Sequence, residues 1–129
     1  MAPTLEDSLH EGFEGNIFNT YETLVYDGDK LVAFSFFDLG DSSASSILGV
    51  YDPDYKKYSL GLFTVLLEMI FCIRNNFDFF YPGYVVPGNA RFDYKLRIGD
   101  VDYYDLKTNK WLNYQSLDEK EIPLFKMEQ

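Results

Sequence analysis

Between Ser59 and Asn76, Leu62, Phe63, Val65, Leu66, Met69, Ile70 and Ile73 recur at helical spacing, and Asn75-Asn76 ends the run. Ser59 stands where an N-cap belongs. Leu67 and Phe71 widen the apolar stripe, so the spacing predicts a helix covered on most of its sides. The apolar stretch Leu60 to Ile73 is interrupted by Glu68 and is shorter than the roughly 20 residues that span a bilayer, which predicts a buried helix and no membrane segment. With 129 residues in all, the chain has room for one such helix, a sheet to cover it and a single core.

The sheet is written on both sides of the helix. Leu24, Val25 and Tyr26 suit a strand within Tyr21 to Asp27, Asp27-Gly28-Asp29-Lys30 supplies a turn, and Leu31 to Asp38 continues as a second strand. Gly40-Asp41-Ser42-Ser43 turns the chain into a third strand, Ser46 to Tyr51, which Asp52-Pro53-Asp54 ends. After the helix, Phe77 to Val86 is an aromatic strand interrupted by Pro82-Gly83, where the missing proline N–H predicts a bulge or a splayed strand. Arg91 to Ile98 alternates, with Phe92, Tyr94, Leu96 and Ile98 on one face and Arg91, Asp93, Lys95 and Arg97 on a wet, basic one. Val101 to Leu106 and Lys110 to Tyr114 predict a terminal hairpin. Twelve Phe, eleven Tyr and one Trp fit this strand-rich reading, because rings fill pleated, half-buried surfaces well. The expected organisation is a leader or partly ordered segment over residues 1–20, one domain over 21–115 and a polar tail over 116–129.

Charge and ligand chemistry narrow the function. Eleven Lys and Arg against 21 Asp and Glu leave a net charge of −10, which excludes a generally basic nucleic-acid binder. Cys72 is the one cysteine and His10 the one histidine, so no disulfide and no structural metal cluster is expected. Cys72 falls within the apolar helix and is expected to be inert core. The N-terminus lacks the charged and apolar regions of a signal peptide, which leads to an expected cytoplasmic location.

Several antiparallel strands, one long buried helix and then a strand broken by Pro-Gly make an α+β order that resembles the GCN5-related acyltransferase fold. The resemblance implies a mostly antiparallel sheet whose central strands splay apart to receive an activated acyl donor. Tyr51-Asp52-Pro53-Asp54, Ser59-Leu60-Gly61, Tyr81-Pro82-Gly83-Tyr84 and Arg91-Phe92-Asp93-Tyr94-Lys95 stand in the order and spacing of the C-terminal half of arginyl-tRNA-protein transferases. The similarity covers about residues 21–114 and is greatest to a shorter bacterial branch of that family. The chain departs from the family motif at Asn89, Arg91 and Phe92, where a cysteine, a lysine and a methionine are usual, and it has nothing like the cysteine-rich N-terminal half of longer members.

This resemblance implies transfer of an amino acid, arginine first, from aminoacyl-tRNA to the N-terminal amine of an acceptor protein, without metal or bound coenzyme. A missing N-terminal half of the same protein is a further implied partner. Two other classes stay open: a coenzyme A-dependent N-acetyltransferase, disfavoured because Ser59-Leu60-Gly61 offers a single glycine, and a non-catalytic half-domain that binds a partner. Asp52 and Asp54 bracket a stiffening proline and could grip a donor guanidinium, or they are plain turn chemistry. Ser59 and Gly61 open the helix where its unpaired amides could meet a tRNA phosphate, or they merely cap it. Tyr84 is the candidate for the reacting centre, able to give a proton to the departing ribose oxygen, with Tyr81 and Tyr94 beside it; packing is the alternative for each. Arg91 and Lys95, with Arg97, form an expected basic stripe for tRNA phosphate or an acidic acceptor residue, or a solvated strand face.

Overall fold

Gly28 takes φ 59, and with Asp29 it closes a two-residue loop between β1 (Asn19–Asp27) and β2 (Lys30–Leu39), which pair antiparallel from Asn19↔Leu39 to Asp27↔Lys30. The computed structural model describes residues 17–85, 89, 91 and 94–114. β3 (Ser43–Tyr51) adds antiparallel to the other edge of β2, completing the expected meander. Val32 and Ile47 are the extra residues at two register shifts, one in each ladder. β4 (Phe79–Tyr81) then pairs parallel with β3 through Ser43↔Phe79, Ala44↔Phe80 and Ser45↔Tyr81, giving the sheet order β1-β2-β3-β4. A parallel neighbour needs a crossover, and a 3-10 turn (Pro53–Tyr58) followed by α1 (Leu60–Arg74) supplies it.

The ladder between β3 and β4 stops at Tyr81, one residue before Pro82. The strand expected over 77–86 is thus three residues long, and residues 86–88 lie outside the described residues. From Ser46 onward β3 has β2 on one side and no β4 pair on the other.

α1 lies as expected but buries only part of its apolar stripe, Val65 above all. Leu60, Thr64, Val65, Glu68 and Cys72 are its buried residues, whereas Phe63, Leu66, Ile70 and Ile73 of the apolar stripe are exposed, Ile73 by 71%. The helix is covered on one side and not on most, and the covered side carries two polar residues. Ser59 also departs from expectation. Its φ 53 and ψ 46 are left-handed, its N–H closes the 3-10 turn on Lys56 O, and its carbonyl accepts from Phe63 N at 3.0 Å. Side-chain capping requires an extended backbone, and Ser59 makes no side-chain cap bond.

The core of this region is split. Val32, Ala33 and Leu60 gather Val25 and Tyr55, while Phe37, Ala44 and Cys72 gather Leu39, Phe71, Phe77 and Phe80. Phe71 meets Phe37 edge-on at 5.4 Å and Phe77 edge-on at 6.1 Å.

The chain divides into two compact units, residues 1–83 and 84–129. In the second, β5 (Asp102–Asp105) and β6 (Lys110–Asn113) form the expected hairpin, with Tyr104 and Trp111 directly opposed and their rings 5.4 Å apart. The strand predicted over Arg91 to Ile98 is absent among its described residues. Tyr94–Leu96 is a 3-10 turn closed by Arg97 N to Tyr94 O at 3.0 Å, and Phe92 and Asp93 lie outside the described residues. Alternation makes a strand only where a neighbour takes up the backbone groups; β5 and β6 take up each other's, and this segment bonds locally instead. Among the described residues no helix is long and apolar enough to cross a membrane.

Candidate functional site

The Asp-Pro-Asp turn is built by Asp52. Its Oδ1 accepts from Asp54 N at 2.9 Å, and its Oδ2 lies 3.0 Å from Lys30 Nζ. Those two interactions, the backbone bond first, hold its carboxyl below the usual range, and Asp52 in turn raises Lys30. Lys30 also sits 5.1 Å over the Tyr55 ring, whose hydroxyl donates to Asp27 Oδ2 at 2.7 Å. Both Asp52 oxygens are therefore used in pinning the end of the β1–β2 hairpin to the 3-10 turn. Asp54 is exposed beside it.

Ser59 and Gly61 open α1 as expected, but a Cβ on Gly61 would meet nothing within 4 Å, so close packing does not require the glycine. In the second unit, Lys95 Nζ donates to Tyr84 O at 3.1 Å and lies 5.7 Å from the Tyr84 ring centre. Half-burial lowers the Lys95 pKa. Tyr84 keeps 76% of its surface exposed, Arg91 and Arg97 are exposed, and Tyr94 is half-buried in the 3-10 turn. The structure thus joins Tyr84 to Lys95. It does not align Arg91, Lys95 and Arg97 on one strand face.

Beneath α1 runs a polar seam that its apolar stripe conceals. Cross-strand partners Thr23, Ser35 and Gly49 share the sheet face that looks at the helix, and a Cβ on Gly49 would make an ordinary contact with Thr64 Oγ1 at 3.6 Å. Glu68, one turn further on, has 0% exposure. Its Oε1 accepts from Ser46 Oγ at 3.4 Å, while Glu68 Oε2 and Ser35 Oγ make no well-formed hydrogen bond among the described residues, although the Ser35 hydroxyl is near enough to favour the carboxylate. Burial pushes Glu68 up to about 7, against the opposing pull of the Ser35 and Ser46 hydroxyls. The seam parts the two apolar clusters. Its trace in the sequence is the row Leu60, Thr64, Glu68 and Cys72, spaced by four and so stacked on one helix face.

Among the described residues no group of three or more His, Cys, Asp or Glu is arranged to hold a metal ion. Cys72 is buried and its thiol is raised, first by burial and then by the Glu68 charge.

Comparison with known proteins adds to this geometry. The family model described as arginine-tRNA-protein transferase, C terminus, matches residues 2–105. An aspartate/glutamate leucyltransferase of Leptospira interrogans is 36% identical over 95 residues, which are 70% of this chain and 37% of the relative. A protein of the same name from Campylobacter jejuni is 39% identical over 75 residues, 58% of this chain and 31% of its own. Arginyl-tRNA–protein transferase 1 of Saccharomyces cerevisiae is 32% identical over 92 residues, 71% of this chain and 18% of its own. The chain spans less than two fifths of the length of these relatives. With most of its length matched by the family model, the chain belongs to the family of arginine-tRNA-protein transferase C-terminal domains.

Proposed function

We propose that this chain supplies the acyl-transfer half of an aminoacyl-tRNA–protein transferase, which moves an amino acid from charged tRNA to the N-terminal amine of an acceptor protein. The observation that carries this reading is the family match over residues 2–105. The sheet supports it. A parallel β3–β4 ladder that ends after three pairs, with the crossover helix between its strands, is what an acyltransferase-like fold with splayed central strands requires.

Leucine is the donor we favour. Asp52, the residue expected to grip a guanidinium, has both oxygens engaged by Lys30 and Asp54 N, and the bacterial relatives are named leucyltransferases. Arginine is the second reading, favoured by the name of the yeast relative. Tyr84, exposed and steadied by Lys95, is suited to give a proton to the ribose oxygen, and the first turn of α1 at Ser59 and Gly61 is suited to a phosphate. An aminoacyl ester is already activated, so holding amine and ester together supplies much of the rate.

The test is transfer by the purified chain from leucyl-tRNA and from arginyl-tRNA to peptides beginning with Asp or Glu, with acetyl-coenzyme A as a control donor. Leucine transfer is expected. Arginine transfer alone selects the second reading, and acetyl transfer without either overturns both.

A further inference from the structure

Glu68 is placed where a carboxylate serves packing poorly. A buried carboxylate kept for structure has its oxygens paired, because leaving one without a partner costs on the order of 1–3 kcal/mol or more. Here one oxygen has a hydroxyl at 3.4 Å, and among the described residues neither the other oxygen nor the Ser35 hydroxyl beside it makes a well-formed hydrogen bond. The arrangement also reaches toward the surface. Ser46, which reaches Glu68 from β3, is the first residue beyond the last β3–β4 pair, Ser45↔Tyr81, and is only partly buried. A hydroxyl one residue beyond the end of the β3–β4 ladder is thereby backed by a buried acid.

Amide formation at a protein N-terminus needs a proton acceptor, since an α-amine is largely protonated at neutral pH. We propose that Ser46 and Glu68 form the proton-accepting pair for the acceptor amine, with Ser46 as the catalytic residue that meets the amine and Glu68 as the positioning residue that acts through it. This rests on the transferase reading above. The ammonium passes one proton to Ser46 Oγ while the Ser46 hydroxyl proton moves to Glu68 Oε1. The freed lone pair forms the C–N bond at the ester carbonyl. The bond from that carbon to the ribose oxygen then breaks, its electron pair stays on the ribose oxygen, and that oxygen takes up the second proton lost by the nitrogen. Products are the amide, the tRNA hydroxyl and a protonated Glu68 that returns its proton to solvent. No further reactant is needed.

Burial that raises Glu68 to about 7 brings its proton affinity close to that of an α-amine, which makes the transfer nearly even in energy. The groups facing Glu68 are Ser35 on β2, Ser46 on β3, Thr23 by register on β1, and Thr64 and Cys72 on its own helix. Cys72 is the one other titratable group in that set, so the carboxyl governs the pH response.

The test is the pH profile of steady-state transfer, from pH 5.5 to 8.5, by the full chain and by Glu68→Gln and Ser46→Ala variants. In the wild type kcat/KM should rise through a pH near 7. Each variant should lower kcat about 100-fold, the scale of a lost proton acceptor, with KM for tRNA and peptide within about threefold of wild type, and Glu68→Gln should lose the limb near pH 7. A folded Glu68→Gln with wild-type rate and profile overturns the proposal and leaves the transferase reading intact. If Glu68→Gln does not fold, Ser46→Ala decides alone: an unchanged rate overturns the proposal and a loss in kcat at constant KM supports it. A wild type that transfers neither amino acid at any pH overturns the transferase reading, and this proposal with it.

Discussion

Glu68 should also be visible in stability. Its folded value of about 7 lies above the ordinary 4.5, so the folded chain holds this proton more tightly than the unfolded chain does. The fold is then most favoured below about 4.5, loses stability as pH rises from there to about 7, and is level above. The size is on the order of 3 kcal/mol at most. Urea unfolding at a series of pH values should show this slope in the wild type and a much flatter one in Glu68→Gln. Asp52 acts in another window, since its lowered carboxyl contributes stability that disappears only as pH falls below the usual carboxylate range. For Asp52 the structure predicts a separation of roles. Asp52→Asn should keep the turn bond to Asp54 N and lose the Lys30 pair, with a smaller drop in Tm than Asp52→Ala, and neither variant should shift preference between leucyl and arginyl donors. A selective rise in KM for arginyl-tRNA would restore the guanidinium role first expected of this residue.

At the scale of elements, the meander, its turns and the position of α1 were legible because each announces itself locally. Gly28 supplies the left-handed turn residue, and the apolar run from Leu60 fixes the length of the helix. The orientation of α1 was not legible. Periodicity presumes that the apolar stripe faces the core, whereas Thr64 and Glu68 are buried and Phe63, Leu66, Ile70 and Ile73 are exposed. The polar partners lie far off in sequence, on β2 and β3, so no window around the helix contains them. The Arg91 to Ile98 segment misleads for a related reason: alternation is a property of the segment, and pairing is a property of its neighbours. Substitution separates the two helix faces. Ile70→Lys and Ile73→Lys should each leave stability within about 0.5 kcal/mol of wild type. Val65→Ala, which removes two buried methyl groups against the sheet, should cost about 2 kcal/mol in the same chemical melts. If the lysine variants proved as costly as Val65→Ala, Ile70 and Ile73 would be as buried as Val65 is.

For the whole molecule, the transferase reading proposed above poses the problem of how a chain of net charge −10 would meet a polyanion such as tRNA. Long-range attraction is against it, so affinity must come from cations placed locally, and each phosphate neutralised lowers the slope of log K against log salt by about 0.7 to 0.9. The sequence offers Arg91, Lys95 and Arg97 as one stripe, but in the structure they differ. Lys95 is half-buried and bonded to Tyr84 O, its charge disfavoured by burial, while Arg91 and Arg97 are exposed. A half-buried lysine bonded to the Tyr84 carbonyl is engaged within its own unit, and the exposed arginines are the candidates for a phosphate. Arg97→Ala should therefore weaken tRNA binding and reduce the salt slope by about one phosphate contact, whereas Lys95→Met should leave the slope unchanged. Lys95→Met should act instead on the second unit itself, by speeding hydrogen exchange at the Arg97 amide, whose bond to Tyr94 O closes the turn that carries Lys95. Filter binding over a salt series and native-state exchange measure the two effects separately. Equal loss of salt slope in both variants would place Lys95 on the phosphate and set aside its inward role.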